Sequence, residues 1–325
     1  MRHVVKHRKV FRNSWIKTNS GKGYEVLFKS KRFRGMFPYL LIIPGILLLL
    51  LVIFLPFLQN IFYSFTDYSL LNSDTAIIGF ENYTNIIQGD EFAGALIKSL
   101  IYVAIVISFV AFFGLTAAFL QNSRTIRGIG ALQVFLLLPW ILPEVVTGYT
   151  WKLLLNYQTG PYYNLLETLH IIPAGEDIFS NSVYAMLAVA FANIWRGFPV
   201  VAITVFAKLR TLPTDQVEAA VIDGANRWVL FKSIEMPHIA AAFTSVLTLC
   251  FIWTFNSFGL VHVMTGGGPA GATETLPVLL QRKAFKFFDY SDSSAFAVMM
   301  ILVLLAVVLA LNTIPGLLKK RSADL

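Results

Sequence analysis

Three features of this sequence predict an all-α membrane protein of six transmembrane helices. Apolar residues make up 56% of the chain and charged residues only 14%, and the apolar ones lie in blocks. Six blocks, at about 37–59, 95–121, 131–154, 183–207, 239–262 and 294–316, reach the roughly 20 residues that about 30 Å of hydrocarbon demands. Their length and the absence of strand-like alternation favour helices over a barrel.

The first block is no signal peptide. It is too long, carries Pro44 and Pro56, and lacks a small-residue cleavage site, so it stays as a helix. Residues 1–36 before it hold Arg2, Lys6, Arg8, Lys9, Arg12, Lys29, Lys31, Arg32 and Arg34 among others, against one acid, Glu25. Positive loops resist translocation, which makes this end cytoplasmic. Lipid headgroup contact is the expected use of such a segment beside a span, with nucleic-acid binding as the rival.

Alternating from there, Arg124 and Arg127 after span two, Lys208, Arg210, Arg227 and Lys232 after span four, and Lys319, Lys320 and Arg321 in the tail 318–325 fall inside. Loops with Asp67, Asp74, Glu81, Asp90 and Glu91, then Glu167, Glu176 and Asp177, fall outside. Arg282, Lys283 and Lys286 oppose the count, although Asp289 and Asp292 follow them. The net charge of +8 thus reads as topology, and places the chain as a multi-pass protein with both termini cytoplasmic.

In span three Pro139 and Pro143, and in span four Pro199, each remove a backbone hydrogen bond and are expected to bend their helices. Counted along straight helices, Glu144 and Arg196 both approach the midplane. Arg196 is a functional candidate by its cost there, about 2.5–3.5 kcal/mol. It either pairs with Glu144 or faces a cavity and grips an acidic sugar or a hydroxyl cluster.

Between spans four and five lies the longest internal loop, about 209–238. Pro213, Thr214 and Asp215 read as a helix start, with Asp215 as cap and Glu218 completing a variant capping box. Ala219, Ala220, Val221 and Ile222 continue it, and Gly224 offers the φ > 0 position that ends it. A second helix carries Trp228, Val229, Phe231 and Ile234 toward Pro237, where span five begins. The whole is a rigid projecting knob.

Span five contains the only cysteine, Cys250, which excludes an intrachain disulfide and a Cys-based zinc site. The glycine-rich stretch Gly266–Gly271 beyond it lacks the G-x4-G-K-[ST] of a phosphate cradle and reads as a turn. No H-E-x-x-H or G-x-S-x-G motif supports an intramembrane hydrolase, and no ring of like charges or filter loop supports a channel.

The knob carries a resemblance. Glu218-Ala219-Ala220, Gly224, Ile234 and Met236-Pro237 resemble the loop E-A-A, three residues, G, nine residues, I, one residue, L-P in the membrane subunits of bacterial ATP-binding-cassette (ABC) importers, with Met for Leu as the one departure. The stretches Gly79–Ile87, Leu138–Val146, Asn193–Pro199 and Thr265–Leu276 look like segments of the carbohydrate class, on the side of the maltose system's larger permease. The likeness covers about Pro38–Leu317.

That resemblance implies a type I importer permease fold over 37–317, in which Glu218, Ala219, Ala220, Asp223 and Gly224 form the coupling helix that docks on a separate ATPase. It also implies a second similar permease, two ATPase copies carrying ATP and Mg, an external sugar-binding protein, and no cofactor or metal in this chain. A related solute such as glycerol phosphate is the alternative cargo.

Helical spacing and the resemblance together give a substrate path. Asn193, Arg196, Gly197 and Val200 share one face of span four, and Cys250, Trp253, Thr254 and Ser257 share one face of span five. Sugars are held by such mixtures, because their C–H faces stack on aromatics while their hydroxyls need partners. The alternative is that these faces pack against neighbouring spans.

Overall fold

The computed structural model describes residues 31–69, 75–123 and 128–323. The basic residues up to 30, together with Asp74, Arg124, Arg127 and the last two residues of the tail, lie outside these. The chain divides into two compact units, Met1–Phe62 and Tyr63–Leu325.

In the first unit, α1 (Lys31–Leu49) passes through a π turn, Leu50–Phe54, into α2 (Leu55–Tyr63). The Leu55 N–H reaches back five residues to the Leu50 carbonyl. The widened turn stands immediately ahead of Pro56, whose ring would strike a carbonyl of a regular turn and which has no N–H to donate. No residue of the span Pro38–Tyr63 is buried in the most apolar stretch of this helix.

The second unit is helical throughout its regular structure: α3 (Glu81–Gln88), α4 (Asp90–Gln121), α5 (Ile129–Ile141), α6 (Glu144–Leu154), α7 (Pro161–Thr168), α8 (Ser182–Leu209), α9 (Thr214–Ile222), α10 (Arg227–Leu230), α11 (Met236–Phe255), α12 (Gly259–Thr265), α13 (Leu276–Lys286) and α14 (Tyr290–Ala323). Among the described residues there is no strand, only the isolated bridges Thr66–Ile77 and Ser69–Asp289. Among the described residues five helices are long and apolar enough to cross a membrane, and the bent pair α5–α6 makes a sixth when taken as one span.

Two expected spans are broken. At Leu142 the backbone is extended (φ −66°, ψ 133°) and α6 leaves at 94° to α5. Residues before proline are steered out of the helical region, and Pro143 lacks the N–H that would bridge the gap. Pro139 and Pro199, by contrast, stay inside continuous helices. Span five stops at Phe255 rather than near 262. Asn256 leaves the helix and its side-chain amide donates to the Ile252 carbonyl at 2.8 Å, so that α12 is a separate element.

The second helix of the knob is likewise not separate. From Arg227 it runs without interruption into α11 through a second π turn, Phe231–Glu235, where the Met236 N–H reaches the Phe231 carbonyl just ahead of Pro237. This repeats the arrangement before Pro56.

α8 is the centre of the unit, touching α4, α5, α6, α11 and α12. Small residues allow this: Ala185, Ala188, Ala190 and Ala192 are buried. At Gly114 a Cβ would lie 2.6 Å from Val201 Cγ1, so only glycine lets α4 approach this closely.

The basic cluster that opposed the charge count is neutralised locally. Lys283 Nζ meets Asp292 at 2.7 Å and Glu91 at 2.9 Å, and Arg282 meets Glu274 at 2.9 Å. Burial works to lower the Lys283 pKa, but the two carboxylates outweigh it and hold the ammonium above its ordinary range.

Candidate functional site

The two breaks converge. Glu144 opens α6 in its first turn, Ser257 stands in the gap after α11, and the two meet where the Ser257 hydroxyl donates to Glu144 Oε1 at 3.4 Å. A Cβ on Gly259, the first residue of α12, would sit 3.2 Å from Glu144 Oε2. Arg196, from the unbroken α8, joins the same point. Its Nη1 donates to Glu144 Oε1 at 3.1 Å and its Nε to the Leu142 carbonyl at 3.3 Å. That carbonyl lost its helical partner at the break, so the guanidinium supplies the donor the backbone lacks.

The straight-helix depth argument for Glu144 therefore fails, because α6 turns away at Pro143. The pairing itself forms. Arg196 and Glu144 keep 24% and 27% of their side-chain surface exposed, and both face a cavity of about 390 Å³.

Asn193, Arg196, Gly197, Val200, Cys250, Trp253 and Thr254, which the sequence places on two faces, all line that cavity. Ser257 does not; it is buried behind the wall on Glu144. Asn193 is anchored by its amide, which donates to the Tyr102 hydroxyl at 2.7 Å. At Gly197 a Cβ would lie 3.2 Å from Val110 Cγ2, which explains glycine beside the wall. Trp253 is 48% exposed and offers a ring face.

Sequence spacing missed Trp140, Asn256, Val106 and Val110, which also line the cavity. Asn256 makes the second break and owes its position to geometry that a straight helix lacks, whereas Trp140 stands in the last turn of α5 just ahead of the first break. A larger cavity of about 540 Å³ lies between α6, α7 and α8, walled by Trp151, Tyr162, Phe191, Trp195 and aliphatic side chains. With no charged group in its wall it offers little to a polar solute.

The knob between spans four and five presents a second candidate surface. α9 has no buried residue, and Glu218, Ala219, Asp223 and Gly224 are exposed with Ala220 half-buried. Asp215 does not cap it. The helix starts at Thr214, capped by Pro213 two residues ahead of the expected cap, and the Asp215 carboxylate accepts from the Thr214 hydroxyl at 3.4 Å instead of from a backbone N–H. Pro213 already holds the extended conformation of a cap, which puts Asp215 inside the first turn, where it favours the helix dipole.

The far end is as the spacing predicts. Gly224 has φ +86°, its N–H bonds the Val221 carbonyl and the Ala225 N–H bonds the Ala220 carbonyl, a complete glycine C-cap. Asn226, not foreseen, caps the next helix by accepting from the Val229 N–H. Ile222 next to this turn is 85% exposed.

Residues 110–323 match the family model described as binding-protein-dependent transport system inner membrane component. The chain is 29% identical over 271 residues to the trehalose/maltose transport system permease protein MalF of Thermococcus litoralis, covering 82% of this chain and 90% of that one. It is 30% identical to the sulfoquinovosyl glycerol transport system permease protein SmoG of Agrobacterium fabrum, covering 80% and 84%. Its fold is that of a chain of a bacterial alginate ABC transporter, solved with an alginate pentasaccharide-bound periplasmic protein, at a TM-score of 0.74 over 86% of this chain and 94% of that one with 19% identity.

Proposed function

Since the chain belongs to the family of binding-protein-dependent transport system inner membrane components, we propose that it is one permease half of an ATP-driven importer for a sugar or oligosaccharide. The observation that carries this reading is the convergence of two broken helices on a polar cavity. Membrane transporters build solute sites where helices are interrupted, because unwound backbone and helix ends are tolerated only where they line a cavity. The cavity wall combines indoles with amide, hydroxyl and guanidinium groups, the combination that suits a sugar's apolar faces and its hydroxyls. The names of the relatives agree with a carbohydrate cargo.

In this reading Asn193, Arg196, Gly197, Val200, Cys250, Trp253 and Thr254 line the path, and Ser257 holds Glu144 in place. The exposed α9, with Glu218, Ala219, Ala220, Asp223 and Gly224, is the coupling helix. Val221 and Ile222 expose apolar surface there, and a docked ATPase subunit would cover it. ATP and Mg belong to that partner, and this chain acts as a transporter subunit and not as an enzyme. A second permease completes the path, a binding protein delivers the sugar, and the charge pattern puts the knob and both termini on the cytoplasmic side of a bacterial inner membrane.

The test is reconstitution. The chain with its partner permease, ATPase and binding protein in sealed vesicles is expected to take up a sugar only when ATP is supplied. The rigorously purified chain alone is expected to hydrolyse no ATP. Uptake that persists without the ATPase would overturn the importer reading in favour of a passive pathway.

A further inference from the structure

We infer that the solute crossing this cavity is electrically neutral, and that Glu144 is the residue that sets this selectivity; the inference rests on the cavity being the sugar path. The charge of the cargo is not fixed by the family. One relative is named for trehalose and maltose, another for sulfoquinovosyl glycerol, and the structural neighbour for alginate. It must be read from this chain's own side chains.

Among the described residues lining the cavity, Arg196 and Glu144 are the two that carry formal charge, and each is spent on the other at 3.1 Å. Arg196 also gives its Nε to the Leu142 carbonyl, so two of its three nitrogens serve the chain's own fold. Glu144 is held from a second side by Ser257 and stands in the first turn of α6, where a negative charge is favoured. An acidic sugar seeking Arg196 would have to displace a carboxylate that three elements hold in place, or else crowd beside it. A cationic solute would meet the same pair with its carboxylate already neutralised.

What the cavity offers freely is uncharged. Trp140 and Trp253 are 39% and 48% exposed and Asn256 is exposed beside them, while Asn193 and Thr254 present only a polar edge from within the wall. Ring faces with hydroxyl-matching neighbours and no spare charge select a neutral carbohydrate.

The deciding experiment uses the assembled transporter in lipid nanodiscs. Binding is read by quenching of tryptophan fluorescence with two length-matched sets of probes, neutral malto- and xylo-oligosaccharides and acidic oligogalacturonates and oligomannuronates. Wild type is expected to bind within the neutral set. Glu144→Gln frees the guanidinium and is expected to raise affinity for an acidic probe about tenfold, the worth of one charge-assisted hydrogen bond. The double variant Glu144→Gln with Arg196→Gln removes both charges and is expected to show no acidic gain, with weaker neutral binding because Arg196 and its bond to the Leu142 carbonyl are lost.

Tighter binding of acidic probes by wild type, or a folded Glu144→Gln with no acidic gain, would overturn the inference while leaving the sugar path standing. Binding of neither set overturns the path itself. Should Glu144→Gln fail to accumulate, Glu144→Ala, which removes the carboxylate and keeps Arg196, carries the same test: an acidic gain supports the inference and its absence in folded protein refutes it.

Discussion

Asn193 and Tyr102 share a 2.7 Å hydrogen bond between α8 and α4, with both side chains buried beside the cavity. Tyr102→Phe would leave the Asn193 amide without this acceptor, at a cost of roughly 1–3 kcal/mol. The expected result is a lower thermal midpoint of the purified protein. Replacing both residues, Tyr102→Phe with Asn193→Leu, is expected to recover part of it. An unchanged midpoint in the single variant would mean that the bond is worth little or that water replaces it.

The charge pair gives a graded expectation. Arg196→Glu sets two carboxylates against each other and removes the donor to Leu142, so protein level and ATP-dependent uptake should both fall, by roughly 1–3 kcal/mol of stability for a pair that keeps some solvent contact. Adding Glu144→Arg restores opposite charges but not the Leu142 hydrogen bond, since a carboxylate cannot donate to a carbonyl. Partial rescue is the prediction; complete rescue would show that the Leu142 contact carries no weight.

At Gly224 a Cβ meets nothing within 4 Å, while φ is +86°. Gly224→Asp is therefore expected to insert normally, with a conformational cost of about 1–2 kcal/mol confined to the turn. Uptake by this variant, and by Glu218→Lys on the same exposed surface, should be lost if the knob docks on the ATPase. Full transport by both variants would end the coupling-helix proposal.

Lys283 offers a pH test. Its folded pKa is raised above the ordinary value of 10.5, so its stabilisation is fully present below that value and fades as pH rises through the folded pKa. Lys283→Met leaves Glu91 and Asp292 without their shared cation and should cost roughly 1–3 kcal/mol. The difference in thermal midpoint between wild type and variant is expected to stay level from about pH 7 to 9 and to shrink only above about 10.5. A difference that shrinks already between those two values would assign it to another group.

The helices were legible because membrane spans declare themselves by length, and the faces of spans four and five were legible because a straight helix repeats at 3.6 residues. α8 is straight enough for Asn193, Arg196, Gly197 and Val200 to fall together as counted. Trp140 and Asn256 were not legible. Asn256 depends on a gap within an apolar stretch, and Trp140 on which neighbours α5 is packed against, and neither follows from periodicity. Three prolines read alike in sequence, yet only Pro143 stands at a break, where the extended backbone leaves the Leu142 carbonyl in need of a donor. Arg196 is that donor, and it comes from a different span.

The π turn before Pro237 has a consequence for the phase of everything after it. One extra residue in a turn rotates the following helix by about 100° relative to a regular α-helix of the same length. Cys250, Trp253 and Thr254 therefore owe their common direction to the turn at Phe231–Glu235 as much as to their own spacing. Deleting one residue there would leave each side chain in the sequence and swing the whole face toward another neighbour, so that a variant with an intact set of wall residues would present a different wall. The same widened turn lies ahead of Pro56 and shifts the phase of Leu55–Tyr63 against that of Lys31–Leu49.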